Sequence, residues 1–250
     1  MTRREFGGVA GRIAAALALG TACHAGAVQS SDGRLRSRPR RDGRTTAAGN
    51  SRLALGGGRD ATLQVPATAG AAAMPLMVLL HGAGGSGDGI LKRLGSHASE
   101  AGLVVLSPDA RGSSWDAIRD SFGPDVAFID RCLARVFEVV NIDPGRISIG
   151  GFSDGATYAL SLGLVNGELF RRIVAWSPGF VVGGEAMGKP QIYISHGHED
   201  EILPIDRCSR RIVPALKRNG YEVTYKEFVG GHTIPGEIAA AGMKFAAGLL

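Results

Sequence analysis

The chain has 250 residues, 44% of them hydrophobic and 20% charged, which suits one α/β domain with a full core and excludes a wholly disordered protein. No apolar run reaches the roughly 20 residues needed to span a bilayer, so the expectation is a soluble protein or one tethered at an end. The net charge of +5 points to no acidic partner: residues 1–50 hold nine basic and three acidic groups, and the remaining 200 residues hold 19 against 20.

Residues 1–27 read as an export signal. Thr2 to Phe6 resembles a twin-arginine motif, Ile13 to Ala22 is modestly apolar, and Ala25-Gly26-Ala27 is an AxA-type cleavage site; a buried first helix is the alternative. The run ending at Cys23 also resembles a lipoprotein box, with Gly20 in place of the usual leucine, so a lipid tether through Cys23 is a second expectation. Residues 28–50 lack periodicity and read as a disordered linker. Six arginines lie between Arg34 and Arg44, but no aromatics interleave, so a solvated segment near anionic lipid is expected rather than a nucleic-acid arm.

From residue 52 onward, strand-like runs alternate with helical ones, the pattern of a mainly parallel sheet covered on both faces. Strands are expected at 61–65, 76–80, 103–107, 146–149, 173–176, 191–195 and 222–227. Helices are expected at about 88–101, 122–140, 154–166, 206–219 and 235–249, the fourth capped by Asp206. Cys132 and Cys208 fall in these helices as free thiols. In such sheets ligand chemistry gathers at the carboxyl ends of the strands. The polar and glycine-rich runs HGAGGSGDG, PDARGSSWD, GFSDG, SPGF, HGHED and GGHTIP follow successive strands there.

Ser153 lies between Gly151 and Gly155, after a β-rich run and before a helical one, as a nucleophile elbow requires. A serine hydroxyl needs a base oriented by a carboxylate. His232, on the loop between the last strand and the last helix, is the candidate base; Asp200, five residues past a strand end, is the candidate acid, with Glu199 and Glu201 directed outward. The order Ser153, Asp200, His232 is that of α/β-hydrolases. For the oxyanion, Gly82, Gly84 and Gly85 leave the N–H of Ala83 approachable, and the N–H of Asp154 opens a helix. Two rival readings use the same runs. His196, His198 and Asp200 mimic an HxHxD metal site, and Gly82 to Gly87 matches GxGxxG, with no acid in the expected ribose position unless Asp109 serves there.

Taken together, LLHGAGGSG, GFSDGA, SHGHEDEILP and GGHTIP resemble the phospholipase/carboxylesterase family of α/β-hydrolases, which includes acyl-protein-thioesterase-like and polyester-depolymerase-like esterases. The resemblance spans about residues 76–234. It implies an α/β-hydrolase fold, a Ser153–Asp200–His232 triad, an oxyanion hole of Ala83 and Asp154, and no cofactor. It also makes Gly112 to Asp116 a loop near the acyl site, with Trp115 lining the pocket. Ser177 to Pro190 is too short and glycine-rich for a helical cap, so Phe180 and Val181 are expected beside an open site favouring short acyl chains. The expected partner is a small-molecule ester, with no metal and no nucleic acid. A peptidase, or a non-catalytic binding module on the same fold, would carry the same architecture.

Overall fold

The structure, a computed structural model, describes residues 32–40, 47–55 and 58–250; the export motif, the cleavage site and Cys23 lie outside these. Eight strands form one sheet: β1 (Gly49–Arg52), β2 (Ala61–Val65), β3 (Met74–Leu80), β4 (Val104–Pro108), β5 (Ile142–Phe152), β6 (Arg172–Trp176), β7 (Gln191–Gly197) and β8 (Val223–Phe228). Their spatial order is β1-β2-β4-β3-β5-β6-β7-β8. The pairs β1–β2 and β2–β4 are antiparallel and every later pair is parallel. The helices are α1 (Gly87–Glu100), α2 (Asp116–Arg119), α3 (Pro124–Val139), α4 (Asp154–Val165), α5 (Ser209–Arg218) and α6 (Gly236–Ala247). All seven expected strands and five expected helices are present, joined by β1 and the short α2. Asp206 does not cap α5, which starts three residues later; it pairs with Arg210 at 2.8 Å.

The central strands are apolar at consecutive positions because both faces of the sheet are covered. Leu76, Val78 and Leu80 of β3 enter the core under α3, α4 and α5, while Met77 and Leu79 enter the one under α1 and α6. The period of two repeats in β6, where Ile173 and Ala175 face one core and Val174 and Trp176 the other. Helix α4 follows β5 directly and is buried on all sides from Gly155 to Val165.

Part of that cover comes from the segment read as a disordered linker. Residues 32–40 lie against the far end of α4 and against α3. Leu35 is 2% exposed, and its N–H donates to Asn166 Oδ1 at 2.8 Å, while Asn166 Nδ2 returns a bond to the carbonyl of Gly33. Asp130 Oδ1 accepts from the N–H groups of Arg36 and Ser37, each at 2.8 Å. The composition is that of a solvated chain, but one leucine is buried and two side chains from the domain satisfy its backbone. The folded domain thus includes residues before 51, and β1 begins ahead of that boundary at Gly49.

Leu35→Ala should lower unfolding free energy by about 2 kcal/mol, whereas Arg36→Ala, whose side chain is exposed, should change it by less than about 0.5 kcal/mol. Urea denaturation of the two variants checks this; equal small effects would mean that the segment does not dock.

Candidate active site

Strand β5 ends at Phe152 and α4 begins at Asp154, leaving Ser153 alone to turn the chain at φ 58°, ψ −121°. This is a sparsely populated conformation for a residue with a side chain. It is held by the Ser153 N–H, which donates to the carbonyl of Trp176 at 3.0 Å, and by the Ser153 carbonyl, which accepts from Ala156 and Thr157. The turn is also possible only where α4 can approach β3 closely. A Cβ on Gly155 would run into the carbonyls of Leu80 and His81, and one on Gly151 would meet Gly155 itself.

The Ser153 hydroxyl faces His232 Nε2 at 2.8 Å, and His232 Nδ1 faces Asp200 Oδ2 at 2.7 Å. The loops bearing Asp200 and His232 lie backbone to backbone, with Glu199 N–H donating to the Gly230 carbonyl, and a Cβ on Gly197 would collide there. Burial pushes the Asp200 carboxyl up, but bonds from the Leu203 N–H and from His232 outweigh it, so the group lies below its ordinary value and stays a carboxylate. Its other oxygen accepts from the N–H groups of Ile202 and Leu203. A carboxylate at Nδ1 fixes the proton there, which leaves Nε2 free to accept the serine proton.

Opposite the serine, a Cβ on Gly82 would lie 3.3 Å from Ser153 Cβ. The Gly82 carbonyl is held by His81 Nδ1 at 2.7 Å and by the Gly85 N–H at 3.1 Å. Since a trans peptide points its carbonyl and N–H in opposite directions, this fixes the aim of the Ala83 N–H. Neither that N–H nor the one of Asp154 has a partner among the described residues, as expected of donors left for a ligand. His81 is itself locked: Nε2 accepts from the Ala110 N–H at 3.0 Å, so the proton sits on Nδ1. Burial pulls its basicity below the ordinary value, keeping the ring neutral.

The remaining expected residues lie elsewhere. Trp115 is fully buried; its indole N–H donates to the His81 carbonyl at 2.9 Å, and its ring lies between those of His81 and Tyr158. Its neighbour Ser114 donates to the Asp154 carboxylate. The GSSWD run therefore backs the glycine loop after β3 from inside. Phe180 and Val181 are 45% and 38% exposed and line a groove that includes neither Ser153 nor His232 in its wall. His196 and His198, paired in the metal reading, have different partners: His198 meets Glu227 on the surface, and His196 is buried against Ser209, Leu203 and Asp200. Asp109 accepts from the Gly87 N–H within the glycine loop. Cys132 and Cys208 are free and buried.

Two contributors escaped the sequence reading. His196 Nε2 lies 3.1 Å from Asp200 Oδ2 and 2.7 Å from the Leu203 carbonyl, so it carries the proton, and Nδ1 accepts from the Ser209 hydroxyl. Arg93 on α1 donates to Thr233 Oγ1 at 2.8 Å and lies over the Phe152 ring, which packs against His232. His196 was legible only as half of a metal motif, and Arg93 had no sequence signal.

A family model described as Phospholipase/Carboxylesterase matches residues 101–247, a span that holds Ser153, Asp200 and His232 but not the Ala83 loop. The probable feruloyl esterase C of Aspergillus niger is 30% identical over 158 residues, 60% of this chain and 57% of that one. Feruloyl esterase C of Emericella nidulans is 28% identical over 153 residues, 58% of this chain and 56% of that one. The chain thus spans little more than half the length of these relatives. Among solved structures, esterase PE8 superposes with a TM-score of 0.61 at 23% identity, covering 75% of this chain and 97% of that one, which shows a shared fold.

The buried histidines make stability depend on pH. His81 and His196 both have folded-state basicity lowered by burial from an unfolded value near 6.5. The unfolded chain therefore binds more protons below that pH, and their stabilising contribution is present above about 6.5 and lost on acidification. Thermal melts from pH 7.5 to 5 should show a falling Tm, with a shallower fall in His196→Asn than in the wild type. Parallel slopes in the two proteins would contradict the assignment of His196 as a neutral buried ring.

Proposed function

The chain belongs to the phospholipase/carboxylesterase family, and on that premise we propose that it is a serine esterase acting on small carboxylic esters through an acyl-enzyme on Ser153. The observation that carries this reading is the continuous relay from Ser153 to His232 to Asp200, with bonds of 2.8 and 2.7 Å. His232 Nε2 takes the hydroxyl proton as Ser153 Oγ attacks the ester carbonyl. The oxyanion that forms is met by the N–H groups of Ala83 and Asp154, and loss of one such donor typically costs about 10²- to 10³-fold in kcat. Collapse expels the alcohol, which takes its proton from His232. Water then attacks the acyl-serine by the same route, with His232 again as base, and the carboxylic acid leaves.

Substrate access favours soluble esters over lipid aggregates. Among the described residues, the stretch from Ser177 to Pro190 contains no helix that could serve as a lid. Short acyl esters should therefore turn over without a rate jump at an interface. For residues 1–27 the proposal remains export followed by cleavage after Ala27, unless Cys23 is lipidated. Cleavage there leaves the docked segment at 32–40 intact, and the mass of the mature N-terminus decides between the two.

Ser153→Ala should lose nearly all turnover of p-nitrophenyl esters and all labelling by a fluorophosphonate while its far-ultraviolet circular dichroism is retained. Asp200→Asn should cost on the order of 10⁴-fold in kcat by putting the wrong tautomer on His232, and Glu199→Gln and Glu201→Gln should cost less than about threefold. Full labelling of Ser153→Ala, or a severe effect confined to a glutamate, would refute the assignment.

A further inference from the structure

A groove of about 550 Å³ runs between the 178–190 loop and α5, within the size range of small-molecule sites. Its wall is apolar, built from Leu164, Phe180, Val181, Ile212, Leu216 and Tyr221. Its charged lining residues are Lys189, Arg207 and Arg211, and no Asp or Glu lines it. The guanidinium groups of Arg207 and Arg211 have no hydrogen bond or ion pair among the described residues, whereas the neighbouring Arg210 is held by Asp206 and Glu227. Lys189 donates to the Asn219 carbonyl at 2.7 Å and lies 4.3 Å from the centre of the Tyr221 ring, contacts that do not neutralise it.

Gly179 in the groove wall is tied to the candidate active site. The Gly179 N–H donates to Thr157 Oγ1 at 2.8 Å, and that hydroxyl bonds the Ser153 carbonyl. The Leu203 side chain packs within 3.3 Å of the position a Cβ would take on Gly179, while the Leu203 N–H binds the Asp200 carboxylate. The Gly179 part of the groove wall is thus bonded to residues that hold Ser153 and Asp200, and the unpaired Arg207 and Arg211 line the same groove.

We propose that this groove is a specificity subsite, and that the esters cleaved here carry an apolar body ending in an anionic group, a carboxylate or similar oxyanion, held by Arg207 and Arg211, which lie one helical turn apart. The proposal rests on the reading of Ser153 as nucleophile. An apolar wall without cations would accept any acyl chain of the right length. With them, a long neutral chain desolvates those charges and returns nothing, whereas an anionic terminus meets charge-assisted donors. The same arrangement explains how a site without a lid can select among soluble esters, since remote contacts can be used to orient the reacting carbonyl.

The test compares kcat/KM for paired substrates of equal length. In one series the charge is on the acyl side, as p-nitrophenyl half-esters of glutaric and suberic acids against their methyl-capped forms. In the other it is on the alcohol side, as acetates of phenols bearing a carboxylate against those bearing a carboxamide. In one series the anionic member should be preferred by about five- to tenfold at low salt, with the preference fading towards about 0.5 M salt. Arg207→Gln/Arg211→Gln should bring the ratio close to one; because both substrates report on the same protein sample, partial misfolding cancels. A ratio near one in both series, or a ratio that the double substitution leaves intact, overturns the proposal.

A second measurement separates the subsite from the nucleophile: titration of Ser153→Ala protein with 4-phenylbutyrate should show binding that the two arginine substitutions weaken by a similar factor. Persistent binding together with ester hydrolysis by Ser153→Ala would sink the nucleophile and keep the groove. Absent binding, or binding only to vesicles of anionic phospholipid, would sink the groove whatever the fate of Ser153.

Discussion

Ser153 is held at φ 58° by its surroundings rather than by its own preference, and much of the molecule follows from that constraint. A residue in such a conformation carries about 1–3 kcal/mol of strain, so strand, helix and neighbouring strand must all be fixed around it. The β6 carbonyl of Trp176 takes its N–H, α4 takes its carbonyl, and Gly151 and Gly155 let α4 lie against β3. That close approach places the glycine loop after β3 beside the serine and leaves the first N–H of α4 unpaired. The proposed nucleophile and the proposed oxyanion donors thus follow from a single packing arrangement.

Three histidines then serve three different purposes, set by where each proton is fixed. His81 keeps its proton on Nδ1 and orients a peptide, His196 keeps its proton on Nε2 and braces a carboxylate, and His232 keeps its proton on Nδ1 and faces the serine with a free Nε2. The first two are buried, and burial depresses their basicity below the ordinary value, which favours the neutral ring. Only His232, with its side chain 16% exposed, remains open to substrate. Asp200 consequently has two imidazole neighbours and two backbone donors, which is why a carboxylate with no side-chain exposure can stay ionised.

What the sequence disclosed follows from what is local. The strand and helix pattern was legible because both faces of the sheet are buried and the apolar periods are strong, and Ser153, Asp200 and His232 were legible because each sits in a short glycine-rich run after a strand. Residues 32–40 were misread because composition reports the average of a segment, while docking depended on one leucine and on Asn166 and Asp130, distant in the chain. Trp115 was misread for a related reason: its run is indeed near the site, but a large ring next to a loop can support it from behind as well as line it from the front. The role of Arg93 depends on a contact with Thr233, 140 residues away, and no spacing rule carries that information.

The N-terminal segment connects these observations. Helix α4 is buried on every side from Gly155 to Val165, and the N–H at its partial positive end, Asp154, has no partner among the described residues. A helix buried along its length needs cover at its far end as well. Leu35 and the bonds to Asn166 supply that cover at the carboxyl end of the helix, remote from the chemistry. The segment therefore belongs to the folded domain, because it covers the carboxyl end of the helix that begins just after Ser153.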